Sequence, residues 1–247
     1  MTGTIESKKH DNAGISPVAF ILPFVVFMAI ASRSPSIDAQ TAVDDIAVNN
    51  YFYLVIVQVV VALSLTIFFA RQYLKQFPFK IDIWGVVVGV VGVVLWIGVC
   101  NLGLEQKLLQ SLGMGSWLPE RVAFDPFSKI SNPTQRAVFV AFRFTLLAAM
   151  IPLVEELFLR GWFVRWWEDQ EWRSVKLTSI GISGIVAVAV YGVATHPGEA
   201  LAAVVWFTLV SVLMIKTGKF WNCVVAHAVT NLLLGLYVVF FEQWQLW

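Results

Sequence analysis

Charge is scarce in this chain, and that scarcity decides its class. Only 13% of the residues are Asp, Glu, Lys or Arg, against 58% that are hydrophobic. Soluble domains carry about 25% charged and about 45–50% apolar residues. A surplus of this size does not fit inside one soluble core, and the lipid bilayer is its natural solvent and partner. The formal net charge of +1 supplies none of the basic excess a nucleic-acid partner calls for. Cysteine is equally sparse. Cys100 and Cys223 both sit in or beside apolar runs, without metal-type spacing or a disulfide framework. Free thiols packed as small apolar groups are expected there. There are three histidines, and His10 falls in the polar N-terminal stretch. Low-complexity tracts, clear internal repeats and any gap long enough for a soluble domain are all missing.

What is present is a series of apolar runs. A membrane-crossing helix needs about 20 mainly apolar residues, and seven segments reach or approach this: 15–32, 51–70, 82–100, 137–164, 178–196, 199–215 and 221–241. The predicted fold is therefore all-α, a polytopic bundle of about seven transmembrane helices. Lys8 and Lys9 before the first run, with Ala29 and Ala31 near its end, also suit a cleaved signal peptide; the length of the run favours an uncleaved helix. Basic residues cluster in alternate connections: Lys8 and Lys9, then Arg71, Lys75 and Lys80, then Arg165, Arg173 and Lys176, then Lys216 and Lys219. The connection after the first run sets Arg33 against Asp38, Asp44 and Asp45, and the one at 196–199 adds only Glu199 to His196. By the positive-inside rule the N-terminus is cytoplasmic and, with seven spans, the C-terminus is outside. A bacterial inner membrane is the simplest location. Residues 102–135 open with Leu104, Leu108, Leu109 and Leu112 among polar residues, the pattern of an amphipathic helix lying in the interface. Pro119, Pro126 and Pro133 break the rest of that stretch, which is placed to cover a site from the outer face. The chain divides into N-terminal helices with this loop, 1–135, and a core, 136–247.

Ionisable residues inside such runs need a reason, because each costs about 2.5–3.5 kcal/mol at a helix centre. The fourth run holds Glu155, Glu156 and Arg160, the fifth ends at His196-Pro197-Gly198, and the last holds His227 and Asn231. Glu156 and Arg160 are four residues apart with the acid first, the favourable order for a helical ion pair that could simply hold the bundle together. Glu155 points about 100° away and has no partner on its own helix; it suits a general base, a packing anchor or a proton path. His227 and Asn231 share a face, as catalytic groups or as hydrogen-bonding glue between helices. His196 alone reads equally well as an interfacial histidine. Together the six residues offer a base, an electrophile and oxyanion donors, but no plausible covalent nucleophile. Activation of water, hence hydrolysis, is the chemistry that remains, with a membrane scaffold and a proton-coupled transporter as alternatives.

The motif Glu155-Glu156-x-x-x-Arg160, followed by His196 at the end of the next helix and then His227-x-x-x-Asn231, resembles the CAAX prenyl protease and bacteriocin-processing family, the type II CAAX protease-like intramembrane enzymes. The context agrees, from Pro152 through Gly161 and from Lys216 through Trp221. The resemblance covers about 150–235. It implies an endopeptidase acting on prenylated or other membrane-associated proteins or peptides. Carried over, Glu155 activates water, His196 assists it or stabilises developing charge, His227 and Asn231 form the oxyanion site, and Glu156 and Arg160 support the others. A non-proteolytic scaffold or a bacteriocin-immunity protein has the same fold. The metal-free reading, with no cofactor, is favoured because no His-Glu-x-x-His pattern occurs and Asn is a poor zinc ligand; two His and one or two Glu leave zinc as the alternative. One position departs from the family pattern: where it has Phe four residues before the second-motif histidine, this chain has Gly192, with Tyr191 beside it.

Depth raises a tension. At 1.5 Å per residue, Glu155 lies about 15 Å from the level of Arg165 and His227 about 12 Å from that of Lys219. His196 would lie about 30 Å from Lys176. The levels match only if 174–183 runs along the interface, so that the fifth helix enters late and ends in a cavity at Pro197.

Overall fold

A computed structural model describes residues 14–35, 37, 41–115 and 123–246, and within this range also leaves the Leu108 side chain undescribed. Lys8, Lys9, His10, Asp38 and Pro119 lie outside the described residues. The described residues form helices and no strand: α1 (Pro17–Ala31), α2 (Ile46–Gln76), α3 (Ile83–Leu102), α4 (Leu104–Ser111), α5 (Pro126–Lys129), α6 (Pro133–Glu168), α7 (Ile182–Thr195), α8 (Ala200–Thr217) and α9 (Phe220–Phe241). Each of the seven predicted apolar segments becomes a helix. Five helices are long and apolar enough to cross a membrane, while α1 and α7 are shorter apolar helices of 15 and 14 residues. The chain is an integral-membrane helical bundle.

Local chemistry sets the helix ends. Ser16, Asp45, Asp82 and Asn132 each cap an N-terminus by accepting a backbone N–H two residues on. Gly103 and Gly218 end α3 and α8 in the left-handed conformation that glycine adopts without strain. Lys219 bonds Asp82 at 2.6 Å and holds its carboxyl below the usual range, tying the start of α3 to that of α9. The late start of α7 has a tertiary cause. The Glu168 carboxylate, at the end of α6, accepts the Gly181 and Gly184 N–H groups at 3.0 and 3.1 Å. A single 3₁₀ turn, Leu177–Ser179, precedes it. With 14 residues, α7 rises only about 21 Å and stops inside the bundle at His196.

Two apolar clusters hold the bundle. One gathers Phe20, Phe77, Leu157, Trp172 and Phe220 at the end where α1 begins and α2 stops; Phe77 and Phe220 stack at 4.3 Å. The other packs Phe52, Val55, Phe139 and Met150 between α2 and α6. Phe20 of α1 is fully buried, and Tyr73 donates to the Ala19 carbonyl at 2.5 Å, so α1 is an integral part of the core. Arg165, counted from sequence among the connection charges, is instead inside α6 and buried. Neither Cys100 nor Cys223 forms a disulfide, and Cys223 is fully buried. In α4, Leu104 and Leu112 just beyond its end are exposed, leaving it an apolar face. Its Glu105 accepts the Leu201 N–H at the start of α8.

The glycines of α3 let it lie against α9. A Cβ on Gly89 would stand 2.6 Å from Val229 Cβ and 2.8 Å from the Ala226 carbonyl, whereas one on Gly98 meets nothing within 4 Å. Gly89→Leu is therefore expected to destabilise the protein by about 1–3 kcal/mol through overpacking. Gly98→Leu should leave the thermal midpoint in detergent unchanged. Equal midpoints for the two variants would refute this packing.

Candidate functional site

The middle of α6 is not a regular α-helix. Leu146–Met150 and Leu157–Phe163 are π-helical, on either side of Ile151–Glu156. In the first π stretch Ile151 N–H reaches the Leu146 carbonyl, five residues back. The next residue in that pattern is Pro152, which has no N–H to give the Leu147 carbonyl. Asn231 of α9 fills the gap, donating Nδ2–H to Leu147 O at 3.0 Å. A backbone irregularity at membrane depth must be satisfied from within the protein, and here that requirement fixes Asn231 against α6. One amide proton remains for other use.

The two adjacent acids of α6 have different surroundings. Glu156 is fully buried; it accepts Arg160 Nη1–H at 2.5–2.6 Å and faces His227 Nδ1 at 3.0 Å. Arg160, also fully buried, donates Nη2–H to the Phe207 carbonyl at 3.2 Å. The expected ion pair is formed, and it also orients the imidazole. Glu155 has no partner on its own helix but has one on α7: Tyr191 donates its O–H to Oε1 at 2.7 Å. Glu155 Oε2 lies 3.8 Å from His227 Nε2, a gap that leaves the pair facing shared space rather than locked together.

Glu155, His196, His227 and Asn231 line one cavity of about 230 Å³, together with Trp96, Glu199, Trp206, Phe207 and Thr230. Glu156 and Arg160 stand behind its wall. His196, at the end of the short α7, lines this cavity together with Glu155. Thr195 Oγ1 lies 2.9 Å from both the Tyr191 carbonyl and His196 Nδ1. When the hydroxyl donates to that carbonyl, Nδ1 carries the ring proton and Nε2 is an acceptor in the neutral ring. The ring is held between Trp96 and Phe207. Gly192 matters here too: a Cβ on it would stand 2.6 Å from the Phe207 ring. The aromatic surface lacking at position 192 is thus supplied by Phe207 of α8.

The lining residues also give the cavity a direction. From Glu155 it follows α6 back to Leu147, and from His227 it follows α9 onward to Gly235 and then to Gln245 and Leu246. At one end its lining includes Glu199 of the 196–199 turn and Gln245 and Leu246 beyond the end of α9. Phe77 and Phe220 stack near the basic connections and are not among its lining residues.

Sequence reading missed the Tyr191 hydroxyl, Trp206, Thr230 and Glu199 as site residues. Thr230 was within reach, being three residues after His227 and so on its face. It accepts Trp206 Nε1–H at 3.1 Å and donates to the Gly89 carbonyl at 2.9 Å, bracing α9 against α3. Among the described residues no group of three or more His, Cys, Asp or Glu is placed to hold a metal ion.

Comparison with curated proteins and with solved structures gives no match. A family match does emerge, over 137–233, a span that runs from α6 to α9 and contains all six residues picked out by sequence: this segment matches the type II CAAX prenyl endopeptidase Rce1-like family.

Proposed function

We propose that the protein is an intramembrane endopeptidase that hydrolyses peptide bonds of membrane-associated substrates with water activated by Glu155. The observation that carries this reading is the convergence of Glu155, His196, His227 and Asn231, from three separate helices and the end of one of them, on one buried cavity. Glu155 takes a proton from a water lying in the space between it and His227, and the water oxygen adds to the peptide carbonyl. The resulting oxyanion is met by the second amide proton of Asn231 and, when His227 is doubly protonated, by its Nε2–H. Glu155 then passes its proton to the leaving nitrogen as the C–N bond breaks. Of the two roles open to His196, an acceptor Nε2 favours helping to hold the attacking water. Glu156 and Arg160 act through His227 as positioning residues.

With the basic connections cytoplasmic, as the positive-inside rule directs, the end of the cavity lined by Glu199 and Gln245 faces outward. Peptides presented from the outer side then fit better than prenylated proteins of the cytoplasm. One experiment tests the activity and its sidedness. Spheroplasts and inverted inner-membrane vesicles containing the protein are given a peptide library with lipid, prenyl or transmembrane anchors, with Glu155→Gln membranes as control. Cleavage by spheroplasts alone is expected. Cleavage by inverted vesicles alone would reverse the orientation, and cleavage in neither would overturn the enzymatic reading.

A further inference from the structure

A second cavity, of about 440 Å³, lies at the opposite end of the bundle. It forms where the α2–α3 connection, the stretch after α6 and the α8–α9 turn meet. Five cations line it, Lys80, Arg165, Arg173, Lys176 and Lys219, and among the described lining residues there is no Asp or Glu. Among the described residues one carboxylate pairs with any of the five: Asp82, on Lys219.

Arg165 is the most telling member. It is 2% exposed, yet its guanidinium is met only by dipoles, with Nε donating to Val175 O at 2.9 Å, Nη1 to Gly161 O at 3.1 Å and Nη2 to Arg173 O at 3.0 Å. The faces of Phe77 and Trp172 lie 5.1 and 5.3 Å from its Cζ. Arg173 is held the same way, by the Ile15 carbonyl at 2.8 Å and the Trp172 ring. These contacts satisfy hydrogen-bonding geometry without neutralising charge, and a buried cation lacking a counter-charge is costly. The connections thus fix two guanidiniums beside this cavity and leave the compensating anion to come from elsewhere.

Position says which anion. The cavity is at the level of the helix ends, where Trp166 and Trp167 are exposed as interfacial tryptophans are. That is the level of lipid headgroups, and basic pockets between helices there suit phosphate groups. We propose that this cavity binds a phosphate group of net negative charge, carried by an anionic lipid headgroup or free in solution. The proposal is independent of the proteolytic reading.

The test uses the full chain in neutral detergent. Native mass spectrometry measures retention of phosphatidylglycerol against phosphatidylcholine, and thermal midpoints are taken with each lipid and with inorganic phosphate. Lys80 and Lys176 are exposed, so the Lys80→Gln/Lys176→Gln variant should keep the unliganded midpoint. Each cation near the surface contributes about five-fold, so the double variant should lose about 30-fold in affinity. Preference for phosphatidylglycerol, abolished in the variant, supports a lipid headgroup; a midpoint raised by inorganic phosphate alone supports the free ion. Equal retention of both lipids with no effect of phosphate, or a variant that binds like the wild type, overturns the proposal.

Discussion

Glu155→Gln is expected to lower kcat by about 10²–10⁴-fold, the contribution of a well-placed general base, while the thermal midpoint stays where it was. The substitution keeps the shape of the side chain. The Gln carbonyl oxygen can still accept the Tyr191 hydroxyl, now 2.7 Å from Glu155 Oε1. The cavity is polar at this point and the residue has no ion-pair partner on its own helix, so the fold loses little. What disappears is the capacity to take a proton from water and return it to the leaving nitrogen. Turnover by the purified variant, alongside its unfolding curve, checks both halves. Retained activity would remove Glu155 from the mechanism.

Arg160→Ala and Glu156→Ala should behave in the opposite way, with stability lost first. Each substitution leaves a fully buried charge without its partner, which costs about 3–5 kcal/mol. For a chain of this length that is a fall of roughly 6–20 °C in thermal midpoint. Arg160→Ala also removes the donor to the Phe207 carbonyl, so α6 and α8 lose a cross-link. Glu156→Ala also releases His227 Nδ1, so the fraction that stays folded should turn over slowly. Midpoints within about 2 °C of the wild type for both variants would contradict the ion pair's role in holding the bundle.

These contrasting outcomes rest on features of different legibility. Apolar run length is enough to find every main helix, and helical spacing is enough to pair Glu156 with Arg160. The start of α7 is less accessible, because it depends on Glu168, which caps it from 13 residues upstream of Gly181. Only a mismatch of depths hints that 174–183 is not part of the helix. Tyr191 is visible in sequence as an aromatic beside Gly192, yet its hydroxyl contact with Glu155 joins two helices and leaves no trace in local spacing. The same holds for Phe207, which fills the space over Gly192 from the next helix. Arg165 reads as a loop charge because basic residues cluster near it; carbonyl groups of the loop after α6 wrap it into the core instead. The pairing of Asn231 with the Leu147 carbonyl comes from Pro152 once the π turn is known, and no sequence period marks that turn.

The most direct test of Glu155-dependent proteolysis in the membrane is a map of new peptide termini in the membrane fraction of cells expressing the wild type or Glu155→Gln at matched levels. Termini present only with the wild type are expected, and their sequences would name the substrates and the side of the membrane on which they are cut. Identical sets of termini, with a well-folded variant and deep coverage, would contradict the account and return the chain to the scaffold or immunity reading.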